Sequence, residues 1–130
     1  MKKYLEVIQS NLTQRNRLIT HDGIVDYHKN EYIYFTYVEK DSNAKVEVEL
    51  YQDYATIKRK HEEYTTELNL KVDEVVEGRI ISIYGEVKLD VLTNKYIVSD
   101  NNIAIEYDVL VSNEVSDSFR IIFKIKEAFS

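Results

Sequence analysis

What most constrains this chain is a period of two that recurs along nearly all of it. Val46, Val48 and Leu50 alternate with Lys45, Glu47 and Glu49. Leu68, Leu70 and Val72 alternate with Glu67, Asn69 and Lys71. Ile103, Ile105, Tyr107, Val109 and Val111 alternate with Ala104, Glu106, Asp108 and a second apolar residue, Leu110. Phe119, Ile121, Phe123 and Ile125 alternate with Arg120, Ile122, Lys124 and Lys126. Successive side chains of an extended chain point to opposite faces, so each run reads as a strand with one dry and one wet face. The Val, Ile, Tyr and Phe content suits a pleated, half-buried surface. Residues Tyr4 to Leu12 are also read as a strand, although Leu5, Ile8 and Leu12 fit a helix as well.

Turn chemistry falls between the runs. His21-Asp22-Gly23 offers the Asp-Gly pair of a tight hairpin. Asp41-Ser42-Asn43 and Asp100-Asn101-Asn102 tolerate left-handed backbone. Ser112-Asn113-Glu114 opens a longer loop ending near Ser118. Gly85, inside Tyr84-Gly-Glu-Val-Lys-Leu-Asp-Val91, reads as a bend within a strand. Links this short leave no room for crossover helices, so the strands form an antiparallel meander. Eight to ten of them hide their edges most simply by closing on themselves. The expectation is all-β: a closed or nearly closed antiparallel meander barrel of 8–10 strands, with residues 1–130 as a single β-barrel domain.

Composition narrows the chemistry. The chain has no cysteine, which removes disulfides, thiol nucleophiles and thiolate metal sites, and suits a reducing cytoplasm. Two lysines lie at the N-terminus, but Glu6 and Gln9 interrupt the residues behind them, so no signal peptide is expected there. No run approaches the roughly 20 apolar residues of a membrane helix, and no membrane insertion is expected. A net charge of −6 argues against nonspecific binding of nucleic acid. The cluster Lys58-Arg59-Lys60-His61 is followed at once by Glu62-Glu63 and reads as a solvated strand end, though Tyr51, Tyr54 and Tyr64 flank it.

Three segments carry a resemblance to a known family. They are Gly23-Ile-Val-Asp-Tyr27 followed by Glu31-Tyr-Ile-Tyr-Phe-Thr-Tyr-Val-Glu-Lys40, then Tyr84-Gly-Glu-Val-Lys-Leu-Asp-Val-Leu-Thr-Asn-Lys95, then Ile103-Ala-Ile-Glu-Tyr-Asp-Val109. Their order and spacing resemble the YwiB-like family of small bacterial proteins. The resemblance runs from about Gly23 to Glu127 and implies a calycin-like (lipocalin-like) barrel. It implies no established activity and carries over no site residues. The chain departs from lipocalins proper in having no Trp, and from fatty-acid-binding proteins in lacking an Arg-X-Tyr grip: Arg120 is followed by Ile121 and Ile122.

Catalytic signatures are missing. His21, His28 and His61 lie far apart, with no His-X-His or His-Glu-X-X-His spacing, so neither a metal nor another cofactor is expected. There is no Gly-X-Ser-X-Gly elbow, and glycines at 23, 78 and 85 cannot build a phosphate loop. Adjacent acids such as Glu62-Glu63 and Asp73-Glu74 point to opposite faces of a strand and make no dyad.

The sequence supports three functional readings. The first is a noncatalytic barrel holding a small apolar or amphipathic ligand, with Tyr107, Arg79, Arg120 and Glu106 as the candidate ligand-binding residues. The second is an interaction or scaffolding barrel, as a homodimer, with a lumen packed by residues such as Val87, Leu89, Val91 and Phe123. Its candidate interface is Tyr32, Tyr34 and Tyr37, which with Phe35 put aromatic rings on both faces of one strand. The third is an enzyme of unrecognised type using the same Arg, Glu and Tyr side chains.

Overall fold

A computed structural model describes residues 1–128. It contains ten strands: β1 (Lys2–Asn11), β2 (Asn16–Lys29), β3 (Ile33–Val38), β4 (Lys45–Leu50), β5 (Tyr54–Lys60), β6 (Tyr64–Lys71), β7 (Val75–Ser82), β8 (Gly85–Val98), β9 (Asn102–Val111) and β10 (Glu114–Glu127). Each pairs antiparallel with its neighbours in the chain, and β1 also pairs with β10, so the sheet closes into a barrel. The all-β meander barrel expected from the period-two pattern is present, at the upper end of the expected strand number. No helix among the described residues is long and apolar enough to cross a membrane.

The alternation resolves into an inner and an outer set. Leu5 and Val7, Phe35 and Tyr37, Val46 and Val48, Ile103 and Ile105, and Phe123 and Ile125 all enter one buried core. Between them, Lys45, Glu47 and Glu49 of β4 and Glu67, Asn69 and Lys71 of β6 face outward.

Four local expectations are corrected. His21-Asp22-Gly23 lies inside β2, with Gly23 paired to Leu5. The β1 ladder runs on from Lys2 to Asn11, and its hydrogen bonds outweigh the turn preference of one Asp-Gly pair. The first hairpin instead turns at residues 12–15, where the Asn11 side chain accepts from the Gln14 N–H at 2.9 Å and Arg15 has φ 57°. The loop expected from Ser112 to Ser118 is only a two-residue turn, Ser112-Asn113, with φ 53° and 67°. Both positive angles match a primed hairpin turn, whose twist suits the flanking strands, and β10 then absorbs the polar residues in a bulge between Val115 and Asp117. Gly85 is no mid-strand bend: it follows the link Ile83-Tyr84, pairs with Ser82 and has φ 124°. Finally, Val87 does not pack the lumen. β8 pairs with β9 only from Asp90 onward, so the β7–β8 hairpin projects beyond the barrel wall and leaves Val87 58% exposed, while Val91 is fully buried.

The two ends of the barrel differ. One end carries the links at residues 30–32, 51–53, 72–74 and 99–101. There Tyr32 stacks on Tyr51 and Tyr51 on Tyr54, with ring centroids 4.8 and 4.3 Å apart. The Tyr96 hydroxyl donates to the carbonyls of Tyr51 (2.6 Å) and Tyr54 (3.1 Å). Inside this end, Phe35 and Phe123 meet edge to face at 5.2 Å. At the opposite end, turned by the links at 12–15, 39–44, 61–63, 83–84 and 112–113, the packing stops short.

Candidate functional site

Two inward rows change character as they approach the open end. On β3 the series Ile33, Phe35, Tyr37 continues to Glu39, just beyond the strand. On β5 the series Ala55, Ile57 continues to Arg59. Alternation therefore points one acid and one base into the barrel. Glu39 is 5% exposed. Arg59 donates to both of its oxygens from Nε (3.0 and 3.1 Å), and to Oε1 from Nη2 (2.8 Å). Ser42 Oγ donates to Glu39 Oε1 at 2.6 Å. Arg59 Nη1 donates to the Tyr64 hydroxyl at 2.8 Å, and the guanidinium lies 5.6 Å from the centre of the Tyr64 ring.

This cluster holds both charges. Burial pushes the Glu39 carboxyl up, but the hydrogen bonds from Arg59 and Ser42 prevail and hold it below its ordinary value. The same bonds from Glu39 raise Arg59 against the opposing effect of burial. The result is an ionised pair, neutral as a unit, with its fork-to-fork geometry spent internally.

Beside the pair is a cavity of about 340 Å³. Its apolar walls are Val46, Ile57, Leu68, Phe119 and Ile121. Polar groups reach it from Gln9, Tyr37, Thr66 and Tyr107. Tyr37 is 4% exposed, and its buried hydroxyl has no hydrogen-bond partner. Burial, with the Glu39 carboxylate nearby, pushes that phenol well above its ordinary value. The Tyr107 ring stacks on Phe119 at 5.4 Å, and burial pushes its hydroxyl up to about 12. The ion pair and Gln9 also line a smaller hollow of about 210 Å³ with Leu18, Thr20 and Ser42. Thr20 is the extra residue of the β2 bulge between the Val7 and Ile8 pairs, and its buried hydroxyl is likewise unpartnered.

Of the residues singled out in the sequence, Tyr107 and Arg120 line the cavity. The Arg120 guanidinium, however, reaches Glu106 at 3.5 Å. Glu106 precedes Tyr107 by one residue and so takes the opposite face of β9, where Lys95 also approaches it at 3.5 Å. Arg79 lies away from the cavity on the outer face, held between Glu67 and Glu86. The aromatic residues around β3 separate three ways: Tyr37 enters the lumen, Tyr34 sits outside beside His28 at 6.1 Å, and Tyr32 joins the stack at the far end.

Sequence reasoning passes over Glu39 and Arg59. In it, Arg59 merges with Lys58, Lys60 and His61 into one solvated cluster. The signal that separates them is parity: Arg59 shares the face of Ile57, whereas Lys58 shares the outer face and pairs with Glu67 at 3.7 Å. Glu39 lies two residues beyond Tyr37 on the same parity. The histidines stay apart, with His21 against Tyr37 and His61 against Tyr64. Among the described residues, no three His, Cys, Asp or Glu side chains converge as metal ligands.

No protein-family model matches the sequence, and no curated protein matches it at a significant level. Among solved structures, the crystal structure of the YwiB protein from Bacillus subtilis superposes with a TM-score of 0.75 at 16% identity, covering 98% of this chain and 92% of that one. At that identity the likeness is one of fold, and the chain shares the barrel of YwiB.

Proposed function

We propose that this barrel is a noncatalytic binding protein that takes a small amphipathic molecule into the cavity at its open end. The observation that carries this reading is the cavity of about 340 Å³ with apolar walls, lined by Tyr37, whose buried hydroxyl lacks a partner. A buried hydroxyl without a partner is disfavoured by about 1–3 kcal/mol, and a bound molecule supplying the missing bond offsets that. The volume falls in the lower part of the range for small-molecule sites, which mix apolar walls with a few placed polar groups. Catalysis is disfavoured because the Glu39–Arg59 pair facing the cavity is satisfied internally. The proposed setting is the cytoplasm, which the cysteine-free sequence suits. Native mass spectrometry of freshly purified protein should show a reproducible small-molecule adduct that disappears on denaturation. A clean apoprotein that also fails to bind small alcohols in titration would overturn the reading.

A second reading, a homodimer, has one specific support on the outer face. Ile19, Ile8, Ile122, Ala104 and Ile97 are consecutive register partners across β2, β1, β10, β9 and β8. They form an apolar row on the side that should be polar; Ile19 and Ile97 at its two ends are exposed, while Ile8 is buried. Asp22 and Glu6 flank it on one side, Arg17 and Arg120 on the other. A second copy turned about the axis of the row sets Asp22 against Arg17. A dilution series in the same mass spectrometer should show a dimer that Ile122→Lys abolishes; a monomer at every concentration overturns this reading.

A further inference from the structure

Resting on the binding reading above, the geometry points to a ligand of one class: an uncharged molecule whose polar end both donates and accepts hydrogen bonds, such as an alcohol, phenol or primary amide, in preference to a carboxylate. The donors and acceptors of the cavity that remain unspent set this class.

Arginine is the usual clamp for a carboxylate because its five N–H groups form a rigid fork. Here the fork is taken. Nε and Nη2 of Arg59 both donate to Glu39, Nη2 also reaches Ser42 Oγ at 3.3 Å, and Nη1 donates to Tyr64. One N–H of Nη1 is left, which gives no bidentate edge. An incoming carboxylate would meet the buried charge of Glu39 and lose its hydration with no cation to replace it. Arg120 offers no substitute, because its guanidinium turns outward to Glu106.

What remains unspent is neutral: the hydroxyls of Ser10, Thr66, Tyr37 and Tyr107, the Gln9 amide being drawn to Glu39. The Tyr37 hydroxyl, one donor with two lone pairs, has no partner in good hydrogen-bond geometry, although the Gln9 amide lies beside it. It is best matched by a group that returns a bond in each direction. Apolar surface at Leu68, Phe119 and Ile121 receives the rest of such a molecule. In this arrangement Glu39 acts on selectivity by occupying the one cation that would otherwise favour an acid.

The test compares chain-matched probes, 1-hexanol, hexanamide and hexanoate, by NMR titration of the full chain near neutral pH. Saturable shifts of the Tyr37 and Tyr107 resonances are expected with hexanol and hexanamide, at an affinity about tenfold or more above that for hexanoate. Tyr37→Phe should weaken hexanol about fivefold, as loss of one hydrogen bond requires, and leave hexanoate nearly unchanged. Glu39→Gln frees the fork of Arg59 and should erase or reverse the preference. Should that variant not fold, the wild-type ratio and the Tyr37→Phe result still decide the matter. Hexanoate binding as tightly as hexanol to the wild type, through shifts at the same residues, overturns the ligand class while leaving the binding site standing. No saturable shift with any of the three overturns the binding site itself.

Discussion

At the scale of single residues, the Glu39–Arg59 pair matters more for what its loss would leave behind than for its own net worth. Replacing Glu39 with Ala strands a guanidinium whose side chain is only 26% exposed, and urea denaturation should register a loss of about 3 kcal/mol. Replacing both residues with Met should recover most of that, because a matched apolar pair does not have to be desolvated. The pair also sets an acid limit. The folded carboxyl of Glu39 lies below its ordinary value of 4.5. Its stabilisation is therefore complete above 4.5 and is lost as pH falls through the lowered folded value. The double Met variant should lack that part of the acid limb in a pH series of denaturation curves. Tyr107 sets the opposite limit. Burial raises its hydroxyl from 10.0 to about 12, so its contribution is complete below pH 10 and is lost as pH rises towards 12. Tyr107→Phe should flatten the alkaline fall in stability over that window. Parity along a strand is visible in any sequence, and it marks Arg59 as inward once Ile57 is known to be. What hid the residue was its neighbours: three other basic or titratable side chains made a charge cluster the simpler reading, and composition overrode alternation.

At the scale of elements, strand existence was far more legible than the links between strands. Every alternating run became a strand because burying one face is a property of the whole run. Turns depend on which ladder wins locally. Asp22-Gly23 lost to the β1–β2 ladder, which continues past it on both sides, whereas Ser112-Asn113 turns in two residues with neither position a glycine. Ser112 holds a left-handed conformation that Asn tolerates better, so Ser112→Asn should raise stability by about 0.5 kcal/mol, read as a higher unfolding midpoint. Gly78 carries the opposite constraint. A Cβ there would lie 2.8 Å from the Glu67 carbonyl oxygen, where β6 and β7 are paired. Gly78→Ala must push those two strands apart, and a loss of about 1–3 kcal/mol is expected. Faster amide exchange at Glu67 and Arg79 would locate the damage at that crossing.

At the scale of the whole molecule, the period of two implied closure, because ten half-buried strands have no other simple way to lose their edges. The cavity was not legible in the same way. Whether a lumen is filled depends on where the inward rows end relative to one another, and that is set by the closed register as a whole. Val87 shows the difficulty: it shares the parity of Val91, yet it lies beyond the region where β9 continues the wall. The seam between β1 and β10 has a further consequence. Lys3 is paired with Glu127 and Asn11 with Phe119, so the first strand to be synthesised waits for the last. A nascent chain would carry an unsatisfied edge until β10 has emerged, because the ring has no shorter closed form. Pairings so remote in sequence make for slow folding, on the order of milliseconds to seconds. A chain halted at residue 113 would therefore yield aggregate rather than a smaller working barrel, which a sedimentation assay can establish directly. The period in which this molecule is most vulnerable is thus written into its topology: it ends only when the last strand is free to meet the first.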